Sequence, residues 1–340
     1  RRLYQCGVQS RKVAVRPAPD GAGDDVEAFV RQPSHPSKDA APQRPQPVLS
    51  GCYDNVLRLW DTAKAAQAAC VGTLHGHCET VWCLAVDWAG RRALSGCGNG
   101  ALKLWDLDKG ACIKTLQDQG EPLRCMVVDW GSMRALCGCG NGVAKLWDVA
   151  AGVCLQRLRC GRDPVWALAA DWGEEVALSG CGDGTMRLWD LKTAACIETL
   201  PAQEEPVWCL AVDWGSWQAV SGCGDGTLKI WDLDRAACLE TLRGHEGAVR
   251  CVAVDWGSQR AVSGSRDESL RIWDLASRTC LALLRGHKDA IWCLQLDWAS
   301  QRLVTGSRDE SIKVWDLAQN ECVKTLTGHC GPVMCLAAAM

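Results

Sequence analysis

The dipeptide Trp-Asp recurs seven times at nearly constant spacing, and this periodicity constrains the fold of the chain more than any other feature. Successive copies lie 45 residues apart once and 42 residues apart five times. Repeated units of this length are typical of arrays in which each unit packs on its neighbours. The chain holds 18 Trp but only 2 Tyr and 1 Phe, as expected if one unit was copied. The repeated tryptophans are Trp60, Trp105, Trp147, Trp189, Trp231, Trp273 and Trp315.

Each unit contains four short segments with strand character. Around Trp231 they are Val207–Val212, Ala219–Ser221, Leu228–Ile230 and Cys238–Leu242. Short apolar or alternating runs bounded by glycine-rich turns predict β-strands. No segment has the period of an amphipathic helix, so the sequence predicts an all-β chain.

A four-stranded sheet of this length cannot bury both faces alone, but radial stacking of such sheets gives a propeller. Gly244-His245 precedes Trp273-Asp274, and Gly286-His287 precedes Trp315-Asp316, with 28 residues from His to Trp in both. This pattern resembles the WD-repeat family over residues 46–340. The resemblance implies a seven-bladed WD-repeat β-propeller, whose blades 1 to 7 carry the seven repeated tryptophans in chain order.

The first copy lacks an inner strand of its own, and the C-terminal segment can supply it. Residues 36–40 have no strand pattern, whereas Gly328-His329 is followed by the apolar segment Val333–Leu336. We therefore expect the C-terminal strand to pair into the N-terminal blade, so that blade 1 is formed by residues 46–74 plus 331–340. This pairing closes the ring without an unpaired inner strand.

The first 45 residues differ in composition from the rest. Residues 1–45 carry six Pro and mixed charges without periodicity. Such a segment cannot bury enough apolar surface to fold alone. The expected organisation is therefore a disordered N-terminal tail, 1–45, followed by one propeller domain, 46–340.

The WD-repeat resemblance also implies a buried hydrogen-bonded tetrad of His, Ser or Thr, Asp and Trp in each blade. A satisfied buried network fixes strand register, so we interpret these residues as structural rather than catalytic. Blades 1, 6 and 7 carry all four: His329, Ser50, Asp54 and Trp60; His245, Ser263, Asp267 and Trp273; and His287, Thr305, Asp309 and Trp315.

The remaining blades depart from this set. In blade 2, Asn99 replaces Asp, and in blades 4 and 5 Gly161 and Gln203 replace His. Blade 3 departs most, with Gln119, Cys137 and Asn141 at three of the four positions. We expect blades 3 to 5 to be the looser half of the ring.

Most of the 23 cysteines recur at fixed repeat positions, including Cys70, Cys83 and Cys97 and their equivalents. We expect them to be buried and reduced, as small core residues. No Cys-x-x-Cys pair is present, which argues against a zinc site. Many unpaired thiols favour an intracellular protein, either cytoplasmic or nuclear.

The sequence contains no motif of a common enzyme class. A phosphate-binding loop, a nucleophile elbow and a zinc-protease helix are all absent, so we predict no enzyme and no cofactor. The net charge of -3 argues against nucleic acid, and no apolar run is long enough for a membrane span. The predicted partner is a protein or peptide rather than a small molecule.

In the WD-repeat family, two positions around one mouth of the channel usually carry partner contacts. One lies just inside the first strand, and the other lies just before the turn Asp. Trp and Arg dominate the first position, and both contribute strongly to interface energies. The predicted partner-binding residues are Trp82, Arg124, Trp166, Trp208, Arg250, Trp292 and Met334 at the first position, and Tyr53, Arg266 and Arg308 at the second.

Three of these residues suggest the chemistry of the partner. Arg250, Arg266 and Arg308 come from adjacent blades, and guanidinium groups suit phosphate or carboxylate. We therefore predict a phosphorylated or acidic peptide. The competing interpretation is that nearby acidic residues neutralise these arginines.

Blade 6 also resembles one particular group of WD-repeat proteins. Val249-Arg250-Cys251 with Ser263–Asp267 is similar to a blade of the F-box substrate receptors of ubiquitin ligases, in which two Arg hold a phosphorylated degron. No F-box is visible in this sequence. The favoured interpretation is a non-catalytic interaction scaffold. The alternatives are a substrate-recognition module of a ubiquitin ligase and a reader of histone tails or nucleic acid.

Overall fold

The computed structural model describes residues 47–65, 69–117, 120–201 and 204–339. The tail predicted at 1–45 lies outside these ranges, as do Gln119 and Gln203. The described chain folds into 28 β-strands, and no helix occurs in it. It therefore offers no helix that is long and apolar enough to cross a membrane.

The strands form seven antiparallel four-stranded blades, and blade 1 combines the two ends of the described chain. The strands of blades 1 to 3 are β28 Val333–Ala338, β1 Pro47–Cys52, β2 Leu57–Asp61 and β3 Cys70–Leu74; β4 Val81–Asp87, β5 Arg92–Cys97, β6 Ala101–Asp106 and β7 Ala111–Gln117; and β8 Leu123–Asp129, β9 Arg134–Cys139, β10 Val143–Asp148 and β11 Val153–Arg159.

Blades 4 to 7 repeat the same order from inner to outer strand. Their strands are β12 Val165–Asp171, β13 Val176–Cys181, β14 Met186–Asp190 and β15 Ala195–Leu200; β16 Val207–Asp213, β17 Gln218–Cys223, β18 Leu228–Asp232 and β19 Ala237–Leu242; β20 Val249–Asp255, β21 Arg260–Ser265, β22 Ser269–Asp274 and β23 Thr279–Arg285; and β24 Ile291–Asp297, β25 Arg302–Ser307, β26 Ile312–Asp316 and β27 Glu321–Leu326.

The inner strands close the blades into a ring. Each inner strand contacts the inner strand of the next blade, and β24 of blade 7 contacts β28 of blade 1. Strand β28 pairs antiparallel with β1, placing Leu336 opposite Ser50. The predicted seven-bladed fold and its closure by the C-terminal strand are thus confirmed.

The hydrophobic core lies between the blades. One cluster joins Leu94 and Leu102 of blade 2 to Leu123 and Ala135 of blade 3, and the other interfaces repeat this arrangement. The second strand of each blade is almost wholly buried, because neighbouring blades cover both of its faces. This burial explains the apolar second strands of the repeat.

A glycine in the second strand permits the close approach of adjacent blades. A Cβ added to Gly264 would lie 2.7 Å from Sγ of Cys251 and 2.8 Å from a methyl group of Ile291 in blade 7. Contacts this short would force the blades apart, so the position needs the residue without a side chain.

Candidate functional site

A β-bulge at the start of each inner strand positions the side chains that line one mouth of the channel. In β20, Val249 and Cys251 pair with β21, and Arg250 between them is left out of the ladder. The same irregularity leaves out one residue in each of the other inner strands. An unpaired bulge residue is turned away from the regular alternation of the strand. The bulge residues are Trp82, Arg124, Trp166, Trp208, Arg250, Trp292 and Met334.

These seven side chains line a single cavity of about 230 Å³. All seven predicted first-position residues therefore meet at one place. Six of them are partly exposed, and we call them the Trp/Arg mouth: Trp82, Arg124, Trp166, Trp208, Arg250 and Trp292. Met334 also lines the cavity but is buried, with 7% of its surface exposed.

Each arginine of the Trp/Arg mouth lies between two indole rings. Cζ of Arg250 is 3.4 Å from the ring centre of Trp208 and 4.5 Å from that of Trp292. These distances are within the range of cation–π attraction, which strengthens when the groups are desolvated. The rings therefore hold the guanidinium over the channel.

Arg124 is held in the same way on the other side of the mouth. Its Cζ lies 4.2 Å from the ring centre of Trp82 and 5.1 Å from that of Trp166. The ring of Trp166 is also 4.6 Å from that of Trp208, and Trp82 and Trp292 are 6.5 Å apart. The six side chains thus form a closed circuit around the mouth.

Neither arginine of the mouth forms an ion pair in the described part of the chain. Nε of Arg124 and of Arg250 is buried without a hydrogen-bond acceptor there, and so is Nε1 of Trp208 and of Trp292. Burial, together with the nearby charge of Arg266, lowers the pKa of Arg250 to about 10. Burial also lowers the pKa of Arg124. Arginine stays charged at neutral pH, so the mouth carries positive charge that no ion pair of the described chain neutralises.

The second-position residues form an exposed rim. Arg266, Arg308 and Tyr53 are all exposed, and Tyr53 has 60% of its surface accessible. Nε of Arg308 lies 3.7 Å from a carboxylate oxygen of Asp289, so this arginine is partly neutralised. Arg250 lies between two indole rings, whereas Arg266 and Arg308 lie at the surface.

The predicted tetrads of blades 6 and 7 are fully hydrogen bonded. In blade 6, His245 Nδ1 is 2.8 Å from Asp267 Oδ2, and its Nε2 is 2.8 Å from the Ser263 hydroxyl. Trp273 Nε1 donates to that hydroxyl at 2.8 Å. Blade 7 repeats these contacts with His287, Thr305, Asp309 and Trp315. Because Asp267 and Asp309 bind histidines, they do not neutralise Arg250.

Blade 1 departs from this arrangement. Ser50 accepts from Trp60 at 2.7 Å and lies 2.7 Å from Nε2 of His329, but Asp54 Oδ2 is 3.8 Å from Nδ1 of His329. Arg58 Nη1 lies between them, 2.5 Å from Asp54 and 2.8 Å from His329. Because the guanidinium only donates, Nδ1 of His329 accepts and the ring is neutral.

Blade 1 also holds a possible ligand set for a metal ion. Ligand atoms of Cys52, Asp54 and His329 all lie within 4.8 Å of one another. The guanidinium of Arg58 contacts both Asp54 and His329, and so takes the position that a cation would need. We assign the cluster to blade packing.

Blades 2 and 3 have incomplete tetrads. In blade 2, His77 Nε2 is 2.6 Å from the Ser95 hydroxyl, but the amide of Asn99 bonds to Cys78 instead of His77. In blade 3, Nε1 of Trp147 has no acceptor in the described part of the chain.

The expectation of buried repeat cysteines is wrong for the outer strands. Six outer-strand thiols are exposed, because the outermost strand has solvent on its free edge and on much of one face. They are Cys70, Cys112, Cys196, Cys238, Cys280 and Cys322. The inner-strand cysteines are divided. Cys83, Cys251 and Cys335 are buried as expected, and Cys125, Cys209 and Cys293 are half-buried.

The sequence did not show two functional details. The bulges are invisible in it, because Val249, Arg250 and Cys251 read as ordinary strand residues. The position of Arg58 between Asp54 and His329 was not predicted either. Val56 was the difference in the sequence that could have indicated it. Blades 6 and 7 have Ser269 and Ser311 at the position of Val56, and these serines bond to the tetrad Asp.

Comparisons with known proteins agree with this architecture. A family model described as "WD domain, G-beta repeat" matches residues 68–106, 152–190, 194–232, 236–274 and 278–316, more than half of the chain. Eukaryotic translation initiation factor 3 subunit I of Xenopus laevis is 37% identical over 57 residues, 17% of each chain. The same subunit of Drosophila grimshawi is 35% identical over 63 residues, 18% of each chain.

Each of these relatives matches only a small share of the chain. A third, the same subunit of Drosophila pseudoobscura pseudoobscura, is 48% identical over 40 residues, 12% of each chain. Each match spans less than a fifth of the curated relative's length. The family model, by contrast, recurs in five separate places around the propeller. On the repeats, the strand topology and this match, the chain belongs to the WD40 family of WD-domain, G-beta-repeat proteins.

Proposed function

We propose that this chain is a non-catalytic protein-interaction scaffold that holds a segment of a partner protein at the Trp/Arg mouth. The observation that carries the proposal is the pair of arginines, Arg124 and Arg250, held among four indoles without a carboxylate partner in the described chain. Desolvated Trp and Arg side chains supply most of the energy at protein interfaces.

The chemistry of the mouth favours an acidic or phosphorylated segment with a neighbouring apolar residue. The unpaired polar atoms of the mouth are all donors, namely Nε of both arginines and Nε1 of Trp208 and Trp292. These atoms are buried, so it is the positive charge of the two guanidinium groups, unpaired in the described chain, that suits a carboxylate or phosphate. Arg266 extends the positive charge along the rim, and the indole faces offer apolar contact.

The named relatives support the scaffold interpretation. Each is named as a subunit of eukaryotic translation initiation factor 3, so a related protein belongs to a larger assembly. A cytoplasmic or nuclear protein is consistent with 22 free cysteines in the described chain. We propose no cofactor for this function.

A substrate-recognition module of a ubiquitin ligase is the second candidate. Arg250 and Arg266 belong to the same blade, and the charge of Arg266 is close enough to lower the pKa of Arg250. Two neighbouring guanidinium groups suit a phosphorylated degron. In this case the captured partner would be a substrate rather than a stable subunit.

Affinity capture tests the proposal. The bait is the whole chain, as wild type, as Arg250→Ala with Arg266→Ala, and as a control with Arg243→Ala and Arg285→Ala. The control removes the same charge from exposed positions outside the mouth. We expect the mouth variant to lose partners that the control retains, with both variants folded by circular dichroism. Identical partners for all three baits would contradict the proposal.

A further inference from the structure

At two blade interfaces an arginine of one blade lies over a tryptophan of the next. The arginine opens the second strand of its blade, and the tryptophan directly follows the next inner strand, at the end away from the Trp/Arg mouth. Cζ of Arg92 is 5.6 Å from the ring centre of Trp130, and Cζ of Arg134 is 5.2 Å from that of Trp172. Arg134 also donates to both carboxylate oxygens of Glu175, at 2.9 and 2.8 Å. An indole face with an acceptor beside it thus holds a guanidinium group.

The interface between blades 5 and 6 lacks this arginine. Gln218 opens β17 as Arg134 opens β9, and Trp256 follows the inner strand β20. Gln259 stands at the position that Glu175 has in the repeat. All three residues of blades 5 and 6 line a cavity of about 250 Å³. The counterparts of a filled guanidinium site therefore surround an open cavity here.

The rest of the cavity wall also suits an arginine side chain. Ile230, Leu239 and Leu275 line it and offer apolar contact to methylene groups. The carboxylate of Glu240 lines it too, and lies 2.6 Å from Nη1 of Arg278. A carboxylate has about four acceptor sites, so Glu240 can bind a second guanidinium group. The side chain of Arg278 is 58% exposed, so solvent screens its charge.

The interface between blades 4 and 5 is filled differently. Val176 opens β13 there, and Trp217 stands at the position of Gln259 and packs edge-on against Trp214, with 6.0 Å between ring centres. By contrast, Gln259 donates from Nε2 to the carbonyl of Trp256 at 2.8 Å, which leaves its side-chain oxygen as an acceptor. Amide and carboxylate oxygens around the cavity favour a donor group over an apolar occupant.

We propose that the cavity between blades 5 and 6 binds an arginine side chain of a partner protein, with its guanidinium group over Trp256 and beside Glu240. The chemistry of the occupant follows from the arginines that the repeat itself places at two other interfaces. The cavity lies at the far end of β20 from Arg250, so the proposal does not depend on the Trp/Arg mouth.

Titration of the whole chain with N-acetyl-arginine amide tests the proposal, with the uncharged N-acetyl-citrulline amide as control. Binding is followed by the NMR shift of the Trp256 indole N–H, assigned by its loss in Trp256→Phe. We expect a saturable shift with the arginine probe, and binding of the citrulline probe about tenfold weaker or more, the loss typical of one charge-assisted contact.

A substitution that fills the cavity should block the probe. Gln218→Arg copies the residue that opens β5 and β9, so it should keep the fold and remove the arginine-induced shift of Trp256. The control Gln319→Arg adds the same charge at an exposed position of blade 7 and should bind as wild type.

Removal of an existing arginine provides a second arm. Arg134→Gln opens the equivalent position over Trp172, so we expect a lower Tm that the arginine probe, but not the citrulline probe, partly restores by binding there. The proposal is wrong if the arginine probe does not shift Trp256 in wild type, if Gln218→Arg binds it equally well, or if Arg134→Gln is not rescued. Preferential binding of N-acetyl-tryptophan amide would also contradict it, by showing an apolar site.

Discussion

Trp147 packs in the same buried cluster as Cys137, yet its indole N–H has no acceptor in the described chain. In the six other blades the corresponding tryptophan donates to a Ser or Thr hydroxyl at 2.7 to 3.0 Å. A buried donor without a partner costs stability, and among the seven repeated Trp-Asp tryptophans of the described chain only Trp147 carries this cost.

Replacing Cys137 with Ser should therefore stabilise the protein. The hydroxyl would accept the N–H of Trp147 as Ser95 accepts that of Trp105, a gain of about 0.5–1.5 kcal/mol. The reverse experiment, Ser263→Ala, leaves Trp273 and His245 without their shared partner and should cost about 1–3 kcal/mol. Urea unfolding measures both. A Cys137→Ser variant less stable than wild type would contradict this explanation of blade 3.

Stability should fall as the pH drops from about 6.5 to 4. Burial is the main cause that lowers the pKa of both His77 and His329 to about 4, with help from the charges of Lys103 and Arg58. In the unfolded chain a histidine titrates near 6.5. Between these values the unfolded state takes up protons that the folded state does not, so stability present above pH 6.5 is lost on acidification.

Urea unfolding at several pH values measures how the free energy of unfolding depends on pH, and His77→Gln should weaken this dependence. A second loss of stability should appear below about pH 4, where the carboxylates of the tetrads begin to take up protons. Burial acts to raise the pKa of Asp267 and Asp309, but hydrogen bonds from their histidine and serine neighbours outweigh it and keep both well below the usual range. A flat profile from pH 7 to 4.5 in wild type would contradict the buried neutral histidines.

Removing the last strand should destabilise the whole ring. A chain that ends after Pro332 loses β28, whose Val333, Leu336 and Ala338 pack in the interface between blades 7 and 1. Loss of a buried strand costs several kcal/mol, which is comparable to the stability of a typical domain. Thermal unfolding should show a large drop in Tm, whereas a chain ending after Ala338 should unfold near wild type. An unchanged Tm for the shorter chain would refute the closure.

The thiols should divide into a fast and a slow class. The exposed cysteines of the described chain are Cys70, Cys78, Cys112, Cys196, Cys238, Cys280, Cys322 and Cys330. Burial raises the pKa of Cys83 and Cys251 to about 12, which suppresses the reactive thiolate. Brief alkylation followed by mass spectrometry should modify the exposed set first. Equal modification of Cys83 and Cys112 would show that the blades open readily.

The fold could be predicted from the sequence because its main determinant is a repeat. The spacing of Trp-Asp gives the number of blades, and the isolated segment after His329 gives the closure. Both depend on residue order alone. The exposure of Cys112 and its equivalents could not be read from the repeat, because a position that recurs at fixed spacing can face either the core or solvent.

The geometry of the mouth could be predicted only in part. Its residues were found from the family pattern, but the circuit depends on bulges that turn Trp82, Arg124 and their equivalents over the channel. Trp82 and Trp292 approach each other across blade 1, although 210 residues separate them in the chain. Packing between such distant residues follows from ring closure, not from local sequence.

The most direct test of the proposed function is the affinity of the Trp/Arg mouth for a peptide. The tightest member of a library of phosphorylated and acidic peptides is titrated by anisotropy against wild type, Arg250→Met and the control Arg285→Met. Loss of a charge-assisted contact worth about 1.5–3 kcal/mol should weaken binding to Arg250→Met at least tenfold and flatten its salt dependence, while the control binds as wild type. Equal affinity of all three proteins for every peptide would contradict a partner site at this mouth.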